Sequence, residues 1–511
     1  MSKIVNIITI SVFTLLILFS CQKEQIKKED IASTLDSLEY KLNWLEYRLN
    51  LESWQLQTTG ISDSLEFYQQ LYKNVFSNDK TRNVLRNGED FLKKEIDKRR
   101  LAVIYGNFLI EKIEGNPTIV ELRDSLTNLY ITHPKNVSKL NRESEFRTFY
   151  SIGDKLSDGI ANLINLRNQQ ARNLGYNNYL SMLFRIKNID ERQFLSRLRH
   201  LDSLSDEPYR NILAATKTKL NIDEPEIWDI DYAYVDINRQ IDNYFPVDSQ
   251  LKYIKRSLKE VGFNIDNLPI YFDINNNFTK QPYARVFNID VPYDIRIWAN
   301  LDNGLYGTQV LFNAISDAIY LTHINPDNTP YTILIDSSWQ QGMAQILTSF
   351  TNEKEWYTQY AHIPAQLANH FLTAQKEQEI INLRKTLLRA HFEYEAYTNS
   401  NRNLNKLYWN LFEKYMLLPP HKDVKIWASD KNLITHPLYW QNYLKAKMIA
   451  TQSVNYMNKN YGSLINNKMT KSFLIQNYYR FGGRYDWHEL LKRGTEEELK
   501  PDYWIKQVSA H

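Results

Sequence analysis

From Ile31 onward, apolar residues recur at steps of three and four. Leu35, Leu38, Leu42, Leu45 and Leu49 form one such seam, the spacing that places side chains on a single face of an α-helix. Similar seams run through 62–77, 84–114, 117–130, 143–183 and 191–219, and each predicts amphipathic helix. The pattern changes at 265–300. Pro269–Asp273, Ala284–Phe287 and Tyr293–Trp298 are short strand-like runs, separated by an Asn-rich turn at Asn275–Asn277 and by Pro292. Helical periodicity resumes near Leu305 and continues to about Asn458. No fixed-period repeat is present, which argues against a solenoid. No linker divides the middle of the chain, so one helical domain over 31–508 with a small sheet is expected.

Composition supports the same picture. The chain has only 15 Gly and 15 Pro among 511 residues, about half the usual ~12%, and these residues punctuate turns and strands. Their scarcity argues against sandwiches, barrels and Pro-rich linkers. A hydrophobic content of 43% with 24% charge excludes disorder. With Lys+Arg 62 against Asp+Glu 59 the net charge is +3, too balanced for electrostatic nucleic-acid binding. Tyr is abundant, at 34 residues, and its apolar ring with a polar tip suits an amphipathic internal surface.

The N-terminus carries a separate signal. A short positive start, Met1-Ser2-Lys3, precedes an apolar stretch from Ile4 to Phe19 and then Leu18-Phe19-Ser20-Cys21. This resembles a bacterial lipoprotein signal, with 1–20 as signal peptide, Cys21 as the lipidated residue and 21–30 as a polar tether. The resemblance implies a membrane partner through acyl chains and a place in the bacterial cell envelope, with outer-membrane export suggested by Gln22 after the cysteine. Cys21 is the sole cysteine. Its lipidation would leave no thiol for disulfides, catalysis or metal.

After the strand-like runs comes Asp294-Ile295-Arg296-Ile297, then Asn303-Gly304-Leu305, then Thr308-Gln309-Val310-Leu311-Phe312. These segments resemble the approach to the zinc helix of the angiotensin-converting-enzyme family of peptidyl-dipeptidases and, more distantly, of thimet-oligopeptidase-like peptidases. Further resembling segments follow the family order: Glu52-Ser53-Trp54, Leu166 to Tyr179, Trp427-Ala428-Ser429-Asp430, His436 to Tyr443, and Gly482-Gly483 through Trp487. The resemblance implies a large, two-lobed helical zincin-like fold enclosing a deep channel, with a small β-sheet before the zinc helix. In active relatives that helix carries H-E-x-x-H, followed after a fixed interval by a third, glutamate ligand.

Here the motif positions read Asn313-Ala314-Ile315-Ser316-Asp317, and after 23 intervening residues comes Gln341. The spacing is kept and the chemistry is not. Positions 313 and 317 share one helix face, with Phe312, Ile315 and Ile319 on the other. Catalytic zinc takes imidazoles and a carboxylate, whereas Asn313 and Gln341 offer neutral amide oxygens. Ala314 stands where the general base belongs and cannot move a proton. Gln345 replaces the carboxylate that would support the third ligand. The resemblance also places Tyr443 and His436, or Tyr439 in an alternate register, where relatives bind the substrate carbonyl and developing oxyanion.

The expectation is therefore a lipid-anchored peptidase homologue without zinc or catalysis, its channel open to a peptide ligand. Two alternatives compete. One is a working metallopeptidase using Asp317 with other ligands. The other is a glycan-binding surface lipoprotein, which calls for an exposed aromatic platform rather than tyrosines in a cleft. His488-Glu489, His362 with His370 and His391 with Glu395 have helix-compatible spacings but no third ligand.

Overall fold

The structure is a computed structural model that describes residues 28–86, 88–133, 141–275 and 282–509. The signal segment 1–20, Cys21, and Asn276 and Asn277 of the Asn-rich turn lie outside the described residues. Among the described residues, no helix is long and apolar enough to cross a membrane.

The chain is mainly helical. The first helix, α1 (Lys28–Thr59), begins three residues before the seam at Ile31. Ile31, Leu35, Leu42 and Leu45 pack with Ile104 and Phe108 of α2 (Glu95–Glu114) into a small N-terminal core. A larger continuous core runs from Leu109 to Val508. The predicted seam at 143–183 is broken into three helices, of which α3 (Ile152–Asn173) and α4 (Tyr179–Ile186) are the last two. The break follows local chemistry: Gly175 has φ +89°, and Asn178 accepts from the Ser181 N–H to cap α4.

The run Leu166–Tyr179 is held by polar groups that α-helical periodicity does not anticipate. Arg167 has no exposed surface. It forms two parallel hydrogen bonds with Glu114, of 2.8 and 3.0 Å, and donates to the Leu433 and Ile434 carbonyls at 2.9 and 2.8 Å. Asn168 bridges the Tyr397 carbonyl and the Tyr179 N–H. These buried groups are therefore partnered, as burial of charge requires.

Beyond α5 (Glu191–Leu220), the predicted strands form one sheet: β1 (Ile270–Asn275), β2 (Tyr283–Asp290) and β3 (Asp294–Asn300), in the order β1-β3-β2. β3 runs parallel to β1 and antiparallel to β2. Inward Ile295, Ile297 and Ala299 are fully buried, the period-two alternation of a half-buried strand. Trp54 of α1 packs edge-on against Phe287 of β2, centroids 5.5 Å apart, which accounts for the Glu52–Trp54 segment.

The sheet feeds α6 (Leu305–Thr322). Gly304 precedes it with φ +121°, and any Cβ there would stand 2.9 Å from Asp242 Oδ1, the atom that accepts from the Leu305 N–H. Four more helices shape the centre: α7 (Ser337–Thr348), α8 (Ala365–Thr398), α9 (Tyr439–Tyr461) and α10 (Trp487–Thr495). The C-terminal helix, α11 (Asp502–Ser509), packs against α9 and α8. The continuous helical seam expected over 305–458 is thus several helices joined by short turns. Asp336 makes one of the breaks by capping α7, and Leu438, at φ +68°, makes another before α9.

Candidate functional site

One cavity of about 1,170 Å³ gathers most of the residues singled out from the sequence. Asn313, Ala314 and Asp317 reach it from α6, Gln341 and Gln345 from α7, and Tyr439 and Tyr443 from α9. Phe312, Ile315 and Ile319 lie on the opposite, fully buried face of α6. The 313/317/341 spacing therefore places three side chains around one space.

His436 is elsewhere. It is exposed, outside the cavity lining, with Nδ1 2.7 Å from the Thr435 hydroxyl. The left-handed Leu438, whose N–H donates to Glu393 at 2.8 Å, turns the chain between His436 and α9. Tyr439 and Tyr443 begin the helix after that turn and face inward.

The electrostatics are set by burial. Asp317 Oδ1 and Oδ2 accept from the Gln340 amide at 2.9 and 3.2 Å. Burial pushes the Asp317 carboxyl up to about 7, and the Gln340 hydrogen bond offsets only part of that rise. Asn313 donates to the Thr348 hydroxyl at 3.5 Å, the outer limit of a hydrogen bond. Gln345 Oε1 is buried without a protein partner among the described residues. Burial raises both Tyr439 and Tyr443, so each phenol stays protonated and able to donate.

Several lining residues escaped the sequence reading. Phe371, Gln375 and Glu379 line the cavity at four-residue steps along α8, with Gln378 and Asn382 beside them. That period was visible, but nothing in the residue types distinguished this face from an ordinary polar one. Glu379 pairs with Lys447 of α9 at 2.7 Å. Burial lowers the Lys447 ammonium, yet Glu379 and Tyr443 outweigh it and hold the group above its usual range. Tyr283 to Val286 of β2 form another wall, and Gln507 and Val508 of α11 close the far side.

The donor set does not fit a catalytic metal. Asp317 is the only carboxylate at the three ligand positions and is engaged by Gln340. Its partners there are amides, and among the described residues no histidine lines the cavity, a poor set for a borderline-soft ion. Among the described residues no group of three or more His, Cys, Asp or Glu side chains is placed to hold a metal. His391 instead meets the Tyr415 hydroxyl at 2.9 Å, and His488 meets Asp486 at 2.6 Å.

Comparison with solved structures identifies the architecture. The chain superposes on Trypanosoma cruzi metallocarboxypeptidase 1 with a TM-score of 0.66 at 15% identity, covering 94% of this chain and 100% of that one. A carboxypeptidase from Deinococcus radiodurans gives 0.62 at 14% identity over 93% of this chain and 97% of its own. A PZ peptidase A bound to an inhibitor gives 0.61 at 13% identity, covering 87% and 86%. The chain therefore has the large helical fold of these metallocarboxypeptidases. No protein-family model and no curated protein matches the sequence.

Proposed function

We propose that the chain is a non-catalytic relative of the peptidyl-dipeptidase type of zinc peptidase, held in the bacterial envelope through lipidated Cys21, and that its central cavity binds peptides. The observation that supports this most is the convergence of Asn313, Ala314, Asp317 and Gln341 with Tyr439 and Tyr443 on one cavity. Of the positions that would carry hydrolysis, Asn313 and Gln341 hold neutral amides, poor ligands for zinc, Ala314 cannot accept a proton, and Asp317 alone is ionisable. Around them, carboxamides and phenols keep hydrogen-bonding capacity that matches a peptide backbone, since each carboxamide both donates and accepts. Tyrosines inside a cavity favour this reading over the glycan one, which calls for an open platform.

The test uses the purified chain incubated with zinc and dialysed. We expect substoichiometric zinc by elemental analysis, no cleavage of unstructured peptides, and saturable binding of a fluorescent peptide library by anisotropy. Stoichiometric zinc with EDTA-sensitive cleavage refutes the proposal and supports a working metallopeptidase. Absence of any peptide binding removes the ligand half of it.

A further inference from the structure

A second cavity, of about 470 Å³, lies on the other side of α9 and shares no lining residue with the first. Gln441, Leu444, Lys445 and Met448 face it, whereas Tyr439, Tyr443 and Lys447 face the central cavity. The opposing walls come from α5 and from the start of α10. Its volume falls in the range of small-molecule sites, roughly 300–1,000 Å³.

The lining combines three kinds of chemistry. Phe194, Leu198, Leu201 and Met448 are buried and supply an apolar wall. Two cations face the space. Lys445, 6% exposed, uses one contact on Asp336 at 3.2 Å, with its ammonium 4.6 Å from the centre of the Trp487 ring. Among the described residues Arg197 makes one hydrogen bond, to Gln193 at 2.9 Å. Both therefore keep N–H donors to spare. Trp487, 3% exposed, lines the cavity with its ring beside the Lys445 ammonium.

Three carboxylates complete the set: Asp190, Asp486 and Glu489. Asp190 caps α5 and Asp486 caps α10, each through Oδ1, which leaves the second oxygen of each available. Asp486 and Glu489, with His488, are not placed as a metal cluster. A simple anion would meet these carboxylates, and a simple cation would meet Lys445 and Arg197. A molecule carrying both charges beside an apolar body satisfies all three parts.

We propose that this cavity binds a free apolar α-amino acid or short apolar peptide as a zwitterion. The ligand carboxylate meets Lys445 and Arg197, its ammonium meets Asp190, Asp486 or Glu489, and its side chain lies against Leu198 and Met448. The inference does not depend on peptide binding in the central cavity.

Calorimetric titration of the full chain tests it with leucine, phenylalanine and leucyl-leucine as probes. Leucinamide and 4-methylpentanoate serve as analogues lacking the carboxylate or the ammonium. Saturable binding of at least one zwitterion is expected, weakened tenfold or more in both analogues. Arg197→Gln should weaken it about tenfold, and Leu198→Trp, which fills the apolar wall, should abolish it. Should Leu198→Trp fail to fold by circular dichroism, Arg197→Gln at the half-buried rim decides the matter. No binding by any zwitterion, equal binding of the carboxylate analogue, or binding indifferent to Arg197→Gln overturns the inference.

Discussion

Replacing Asp317 by Asn removes the one ionisable group among Asn313, Asp317 and Gln341 and keeps an oxygen for the Gln340 amide. The expected effect is a gain in stability that grows with pH. Burial raises the folded-state carboxyl from 3.8 to about 7. The folded chain thus holds a proton that the unfolded chain has already released between these values. Stability must then fall as pH rises through that window. A shift of about 3 units at 1.36 kcal/mol each gives a penalty of about 4 kcal/mol above pH 7. Asn has no charge to bury, so the variant escapes it. Near pH 4 wild type and Asp317→Asn should unfold at similar denaturant concentrations. By pH 8 the variant should be the more stable by up to about 4 kcal/mol. Glu46 and Glu393, raised by burial to about 7 and about 8, titrate in both proteins and cancel in the difference. Denaturant unfolding followed by tryptophan fluorescence across pH 4–8 measures the gap. Parallel profiles, or a wild type that is the more stable at pH 8, would refute the reasoning.

Other outcomes are accessible to simple assays. Arg167→Met strips Glu114 and two buried carbonyls of their partner and should lower the unfolding free energy by about 3–5 kcal/mol, read from the denaturation midpoint. Gly483→Ala would drive a methyl into the Tyr331 carbonyl oxygen; a cost of about 1–3 kcal/mol or more is expected from such overpacking, seen as a lower melting temperature. Tyr443→Phe should leave the fold unchanged and weaken peptide binding about tenfold, the worth of one hydrogen bond, by anisotropy titration. The combined variant Asn313→His, Ala314→Glu, Asp317→His and Gln341→Glu should bind one zinc per chain by elemental analysis, because the cavity already brings those positions together; a folded variant that takes up none shows that the spacing alone does not build the site.

Local order was largely legible in the chain. Three- and four-residue apolar steps located the helices, and the runs 269–273, 284–287 and 293–298 located all three strands to within a few residues. Both patterns are set by the periodicity of helix and strand, which the order of residues records directly. The positions 313, 317 and 341 were picked out through the resemblance to zinc peptidases, because residues one helical turn apart on one face carry no signal of their own. What tertiary structure decided was everything that depends on which faces meet. Pairing β1 with β3 in parallel requires a crossing that no local pattern encodes. The polar steps of α8 become a cavity wall only because α9 and α11 stand opposite them. His436 and Tyr443 are seven residues apart in sequence, yet the turn at Leu438 sends one to solvent and the other inward. The charge state of Asp317 is likewise a property of its surroundings: an aspartate is only an aspartate until packing removes its water.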